Sequence, residues 1–202
     1  MGTQGTVEIV GEDFSDARLD RREWTNRAYT ACTFRDADLS GLSTNHVVFT
    51  DCDFTGADLS GSRHTATAFR SCTFTRTSLW HTEFRGSSLL GSTFEQCRLR
   101  PVVLDEVDLT LASLGRADLR GVDFTGCRLR ETNLVEADLR TATLRGVDLS
   151  GARTTGLRLD GADLRGAQVG ATLWTTAKLE GAKIDLTQAV AMAAAHGLIV
   201  EA

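Results

Sequence analysis

Large apolar residues recur along this chain at every fifth position. From Phe14 to Ile184 there are 35 such positions, and 32 of them are large and apolar. All nine phenylalanines, the one tyrosine (Tyr29) and two of the three tryptophans (Trp24, Trp174) fall on them; Thr44, His64 and Thr154 are the exceptions. The residue two before each is Ala, Cys, Ser, Thr or Val in 30 of 35 cases, and the residue two after is glycine in 13. Asp often stands just before the large residue, as in "ADLSG", "VDFTG", "VDLSG" and "ADLRG".

A period of five fits neither a helix nor a lone strand. It fits a short extended segment followed by a turn. Strand alternation puts the large residue and the small one two before it on the same inward face, and leaves the other three outside. Glycine two residues later suits a turn that needs positive φ. Steps of twenty sort the large residues by type: Phe14, Phe34, Phe54, Phe74 and Phe94 open one column, while Leu19 through Leu179 fill its neighbour with leucine alone. That segregation follows if residues twenty apart are stacked. Four fives then make one coil, and the body is a square parallel β-solenoid of about eight and a half coils, about 40 Å long at the strand-pairing distance and on the order of 20 Å across. The frame never slips, which predicts an uninterrupted β-helix over 9–184. Thr44 beside His64 predicts a locally loose coil.

The period ends after Ile184. In "DLTQAVAMAAAHGLIVEA", Asp185 and Gln188 form a capping-box pattern and Gly197 a stop, so 185–202 reads as a C-terminal helix and tail. Leu186, Ala189, Val190 and Ala193 share one face. They fit a lid on the last coil, a dimer contact, or both; Gly197 and Leu198 extend the candidate interface. Residues 1–8 read as an N-terminal tail or cap, unstructured over 1–6, with a start of the first coil within "TVEIVGED" as the alternative.

Acidic residues outnumber basic ones 27 to 22, giving a net charge of −5, which argues against nucleic acid as a partner. No apolar run approaches a membrane span, and "MGTQGTVEIVGEDF" lacks a signal peptide's features, so the expected location is cytoplasmic. His46, His64, His81 and His196 lack metal-ligand spacing, and there is no C-x-x-C, P-loop or dinucleotide fingerprint. The expectation is no catalytic residue, no metal and no cofactor. Cys32, Cys52, Cys72, Cys97 and Cys127 all occupy the small inward slot, which makes them reduced core residues. The outer faces therefore carry the candidate chemistry. Asp38, Asp58, Asp118 and Asp138 share one outward column, interrupted by Ser78 and Arg98, and arginines stand two residues after the later ones. The column fits a solvated mixed-charge face or a partner surface that imitates evenly spaced phosphates. Trp80, outward in the same region, fits an interface anchor or a ring resting on its neighbours.

The A-D-L-x-G repeat resembles that of the pentapeptide repeat family over residues 12–184, which implies a right-handed quadrilateral parallel β-helix. Stretches off the bare consensus ("FRSCTF", "TSLWHTEF", "CRLRPVVLDEVDLTLASLG", "TGCRLRETNLVEADLR", "QAVAMAAAHGL") are similar to the family's fluoroquinolone-resistance branch. That resemblance implies a protein that mimics double-stranded DNA, binds DNA gyrase, modulates its activity and its poisoning by fluoroquinolones, and forms a homodimer through the C-terminal helix. Asp38, Asp58, Asp118, Asp138 and Trp80 are then the gyrase-binding candidates. The unbroken frame implies no projecting loops, so contact must come from the faces. The alternative is an interaction scaffold for a different protein partner.

Overall fold

The computed structural model describes residues 5–201. Its strands are β1 (Val7–Val10), β2 (Glu23–Thr25), β3 (Arg27–Thr30), β4 (Ser43–Asn45), β5 (Val48–Thr50), β6 (Arg63–Thr65), β7 (Ala68–Arg70), β8 (Thr73–Thr75), β9 (Thr82–Arg85), β10 (Thr93–Glu95) and β11 (Val102–Asp105); two helices follow, α1 (Ala171–Thr176) and α2 (Leu186–Ala195). The strands form three parallel sheets, ordered β1-β3-β5-β7, β2-β4-β6-β9-β11 and β8-β10. Every pair joins residues twenty apart: Val7 with Arg27, Trp24 with Thr44, Phe74 with Phe94. The fourth face is held by single bridges, such as Arg18 to Asp38 to Asp58, and single bridges carry all faces after β11. The chain is thus the expected four-faced parallel β-helix, twenty residues to a coil.

The turns explain the period. From Gly11 to Gly181 every corner residue has φ between 47° and 81°, except Pro101, Ala171 and Thr176. Many corners are type II turns closed by an i+3 bond, as from the Ala17 N–H to the Phe14 carbonyl. Such turns place their third residue in the left-handed region, which favours glycine. Yet 18 non-glycine residues hold a positive φ here. Ladder bonds to the coils on both sides outweigh the cost of about 1–3 kcal/mol per strained residue.

The core is a set of side-chain stacks. Phe14, Phe34, Phe54, Phe74 and Phe94 stack with ring centroids 4.9, 4.9, 5.0 and 4.8 Å apart. Leucines continue the column from Leu114, and an apolar cavity of about 20 Å³ lies where phenylalanine gives way to leucine. The small inward residues bond to the preceding coil. The Thr77 hydroxyl donates to the Phe54 carbonyl at 2.7 Å and Thr82 to Leu59 at 2.8 Å. Cys32, Cys52 and Cys72 point thiols at the Ile9, Tyr29 and Phe49 carbonyls in the same way. All five cysteines are free, and burial pushes the Cys97 and Cys127 thiols up to about 11, so neither is a reactive thiolate.

Three expectations need adjustment. The coil around Thr44 and His64 is tight rather than loose. The buried His64 ring bonds the Thr44 hydroxyl at 2.8 Å through Nδ1 and the Ser62 hydroxyl at 2.9 Å through Nε2, and Thr44 also bonds Thr67. The β-helix is not uninterrupted to 184. Ala171–Thr176 form one turn of α1, because Leu173 stands where a polar residue usually points outward and is buried with Trp174. The ladder opens at Val7, so Val7 and Glu8 begin the first coil, as the reading of "TVEIVGED" allowed, and the tail boundary at residue 8 moves back. The expected unstructured segment falls largely on residues 1–4, outside the described residues.

The C-terminal end is closed as the capping pattern predicts. The Asp185 carboxylate accepts from the Gln188 N–H at 2.9 Å, and the Gln188 side chain accepts from the Asp185 N–H at 3.0 Å. The buried Gln188 amide also donates to the Leu164 and Ala167 carbonyls at 2.6 and 2.8 Å. These are carbonyls of the final coils that no further coil covers, so one glutamine both caps the helix and covers the open end.

Candidate functional site

Asp38 and Asp58 are bridged neighbours in one outward column, as are Asp118 and Asp138 further along it. Position is shared, but chemistry is not. Asp38 accepts from the Ser40 hydroxyl at 2.7 Å and the Ser40 N–H at 3.0 Å, and Asp58 from the Ser60 N–H at 2.8 Å. The Ser40 bonds hold the Asp38 carboxyl below its ordinary range. Neither carboxylate makes an ion pair among the described residues, so each presents its charge outward.

Asp118 instead lies 2.7 Å from the Arg120 guanidinium and 3.1 Å from that of Arg100. Asp138 meets Arg140 at 2.7 Å, Arg158 at 3.6 Å and Arg120 at 3.9 Å. Arg120 holds Asp118 well below the usual carboxylate range; burial pushes Asp138 up, but the Arg140 bonds more than offset it. The later acids are ionised and neutralised in place. Of the four candidates, only Asp38 and Asp58 make no ion pair among the described residues, with Arg18 and Arg21 acting on Asp38 from a distance.

Trp80 lies outward between these pairs and is 39% exposed. The Arg98 guanidinium sits 4.7 Å from its ring centroid, and the His81 ring meets it edge-on at 4.3 Å. Both features of Trp80 coexist: it rests on its neighbours and still presents a large aromatic surface.

A feature missed in the sequence lies beside it. Pro101 stands at a corner where the other coils have positive φ, which its ring forbids. The corner lifts: the His81 N–H bonds the Pro101 carbonyl at 2.7 Å, whereas in the coil before, Gly61 bonds the residue just ahead of the corner, Trp80. On the two faces flanking the corner, no bridge joins Arg98 to Asp118 or Val103 to Asp123 among the described residues. An open cleft of about 950 Å³ results, lined by the apolar Pro101, Val102, Val103 and Val122 and by charged residues of both signs, among them Arg100, Arg120, Asp118 and Asp123. β11 is left as the edge of its sheet in mid-rod. The signal was the single proline of the chain, in a corner slot.

The helix face named from sequence is open. Leu186 is 83% exposed, and Ala189, Val190, Gly197 and Leu198 are exposed too, while Ala193 is half-buried. The opposite side of α2, with Gln188, Met192 and Ala195, packs on the body. Ile199 and Val200 extend the open patch. Among the described residues no His, Cys, Asp and Glu cluster is placed to hold a metal ion, and no helix is long and apolar enough to cross a membrane.

Comparison with known proteins agrees with this geometry. The family described as "Pentapeptide repeat region" matches residues 47–124 and 78–154, and "Pentapeptide repeats (8 copies)" matches 142–172. The pentapeptide repeat protein MfpA of Mycobacterium tuberculosis (strain ATCC 25618 / H37Rv) is 60% identical over 94 residues, 46% of this chain and 51% of that one, so the match spans about half of the relative's length. The structure of a trypsin-treated, singly substituted QnrB1, a plasmid-mediated fluoroquinolone resistance protein, superposes with a TM-score of 0.72 at 24% identity, covering 99% of this chain and 100% of that one. Full-length QnrB1 gives 0.64 at 19% identity, covering 98% and 100%.

Proposed function

The chain belongs to the pentapeptide repeat family, and from that premise we propose that it is a rod-shaped DNA mimic that binds DNA gyrase, modulates its activity and lowers its poisoning by fluoroquinolones. The observation that carries this reading is the Asp38–Asp58 column: carboxylates repeat at the coil spacing, accept bonds from the serines two residues on, and make no ion pair among the described residues. A protein surface built to hold DNA is cationic, and such carboxylates take the place of phosphates on it. The identity with MfpA over 94 residues and the fold shared with QnrB1, a fluoroquinolone resistance protein, fit the drug-protection part of this reading. The open face of α2 supports a homodimer, since Leu186, Val190 and Leu198 form an apolar patch that a second copy would cover.

A gyrase supercoiling and drug-induced cleavage assay, run with wild type, Asp38→Asn/Asp58→Asn and Asp118→Asn/Asp138→Asn, tests the reading. The first pair is expected to lose most of the inhibition of supercoiling and the protection; the second is expected to stay near wild type. A wild type without effect on either activity, and without binding to either subunit, overturns the proposal in favour of a scaffold for another protein.

A further inference from the structure

The cleft at Pro101 is a break in a ladder that α1 interrupts at only one other place among the described residues. In the regular coils each bonds the next in a fixed way: the Phe14 N–H reaches the Thr33 carbonyl, and the Thr33 N–H reaches the Glu12 carbonyl. By that rule the Leu104 N–H and the Val102 carbonyl belong with Asp123, and neither bond is made among the described residues. Bonding resumes at the next corner, where the Arg128 N–H reaches the Val107 carbonyl at 3.0 Å. β11 therefore presents a short row of unpaired backbone groups to an open cleft with an apolar patch. Val103 is 43% exposed on that edge.

An unpaired strand edge is a template for another strand. Beside it stand the exposed Trp80 and, stacked on it, Arg98, which makes no ion pair among the described residues. Backbone pairing for affinity, an apolar patch for one side chain, and an aromatic–cation pair just outside the cleft's lining, on the same face as Arg100, match recognition by strand addition. We propose that this cleft receives an extended segment of a protein partner, which pairs with the open edge of β11, lays an apolar side chain on Val103 and Val122, and offers a carboxylate to Arg98. The unpaired backbone selects a peptide over DNA or a lipid surface, because only a peptide supplies alternating N–H and C=O groups at strand spacing. If the partner is gyrase, this rests on the reading above and adds a second, uncharged contact to it.

Hydrogen exchange of the full chain tests this. The probe is acetyl-Val-Thr-Val-Glu-amide at millimolar concentration, and the amide followed is that of Leu104. The expected result is exchange slowed about tenfold or more, lost in Val103→Arg and weakened in Arg98→Glu, with the exposed control Leu111→Arg unaffected. No protection at saturation, or protection that Val103→Arg leaves intact, overturns the proposal. Protection that appears with rising protein concentration alone names the tail of a second copy as occupant and overturns a foreign partner; protection by duplex DNA overturns a peptide. Repeating the measurement with each gyrase subunit separates the two readings. A wild type that takes the peptide but not gyrase keeps the cleft and sinks the proposed function. Gyrase binding in which neither gyrase nor the peptide protects Leu104 does the reverse.

Discussion

The two halves of the rod reach one backbone by different chemistry. Up to β11 the columns are rich in aromatic rings, every extended strand occurs there, and most corners carry a side chain in the left-handed region, such as Asn26, Asp51 and Arg76. Beyond it the core is almost all leucine, the faces meet through single bridges, and glycine takes most corners, from Gly121 to Gly181. Charge differs along the column of candidate acids: Asp38 and Asp58 make no ion pair among the described residues, although Arg35 pairs with Asp53 and Arg85 with Asp105 elsewhere in this half, whereas Asp118, Asp138 and Asp163 are held by arginines. Ring stacking fixes the first half from inside; sharp turns and an arginine–aspartate lattice fix the second from outside. The Pro101 cleft and the small apolar cavity lie at the seam.

The largest effect that can break this contrast is in the core. Phe54 is fully buried and stacked on Phe34 and Phe74; Leu134 occupies the same column in the second half and is fully buried too. Phe54→Ala loses the transfer term, leaves a cavity and ends two ring stacks, so a loss of about 4–5 kcal/mol is expected. Leu134→Ala loses no stacking and should cost about 3 kcal/mol. Urea unfolding of both variants reads the difference. Equal losses would mean that the rings contribute volume alone.

The second contrast is a titration confined to the first half. Burial pushes the His64 imidazole down to about 3, from an ordinary value of 6.5. The unfolded chain takes up a proton below 6.5 that the folded chain refuses until about 3. This contribution to stability is therefore complete above pH 6.5 and is lost as pH falls through that window, with a limiting slope of about 1.4 kcal/mol per unit. His64→Phe extends the ring column toward Phe84, and Thr44 and Ser62 keep bonds to Thr67 and the Leu59 carbonyl. Its melting temperature should fall less between pH 6.5 and 4.5 than that of wild type. A parallel decline would assign acid sensitivity to the carboxylates instead.

Much of this was legible in sequence because a five-residue period with segregated columns leaves one geometry. Stacking residues twenty apart follows from Phe14–Phe94 and Leu19–Leu179 alone. The capping box of α2 was legible because Asp185 and Gln188 act locally. The second role of Gln188, on the Leu164 and Ala167 carbonyls, was not, since it depends on where the helix lies against the last coil. α1 was hidden because Val169, Trp174 and Leu179 keep the count of five while the backbone between them turns helical; Leu173 in a polar slot was the only mark. The candidate acids were placed in the right column, and the arginines two residues after the later ones already hinted at their unlike character; the further pairs, Arg100 to Asp118 and Arg158 to Asp138, lie across coils and were not legible. Pro101 went unread as a corner, although a slot that demands positive φ cannot take proline.

The smallest effect tests the corners that carry a side chain in the second half. Leu111 lies in the left-handed region, with φ at 61°, as Glu106, Arg116 and Glu131 also do, and it is 55% exposed. Leu111→Gly removes left-handed strain and gives up little buried surface, while the freer unfolded chain offsets part of the benefit. A net gain of about 0.5–1 kcal/mol is expected, about 1–4 °C in melting temperature for a chain of this size. Gly146→Ala is the mirror test: φ is 68° and an added Cβ meets nothing within 4 Å, so strain acts alone and a loss of about 1 kcal/mol is expected. Opposite signs would show that conformational strain sets the preference for glycine in this half. A loss in both would show that Leu111 is retained for its contacts, and that the side-chain corners of the first half are held the same way.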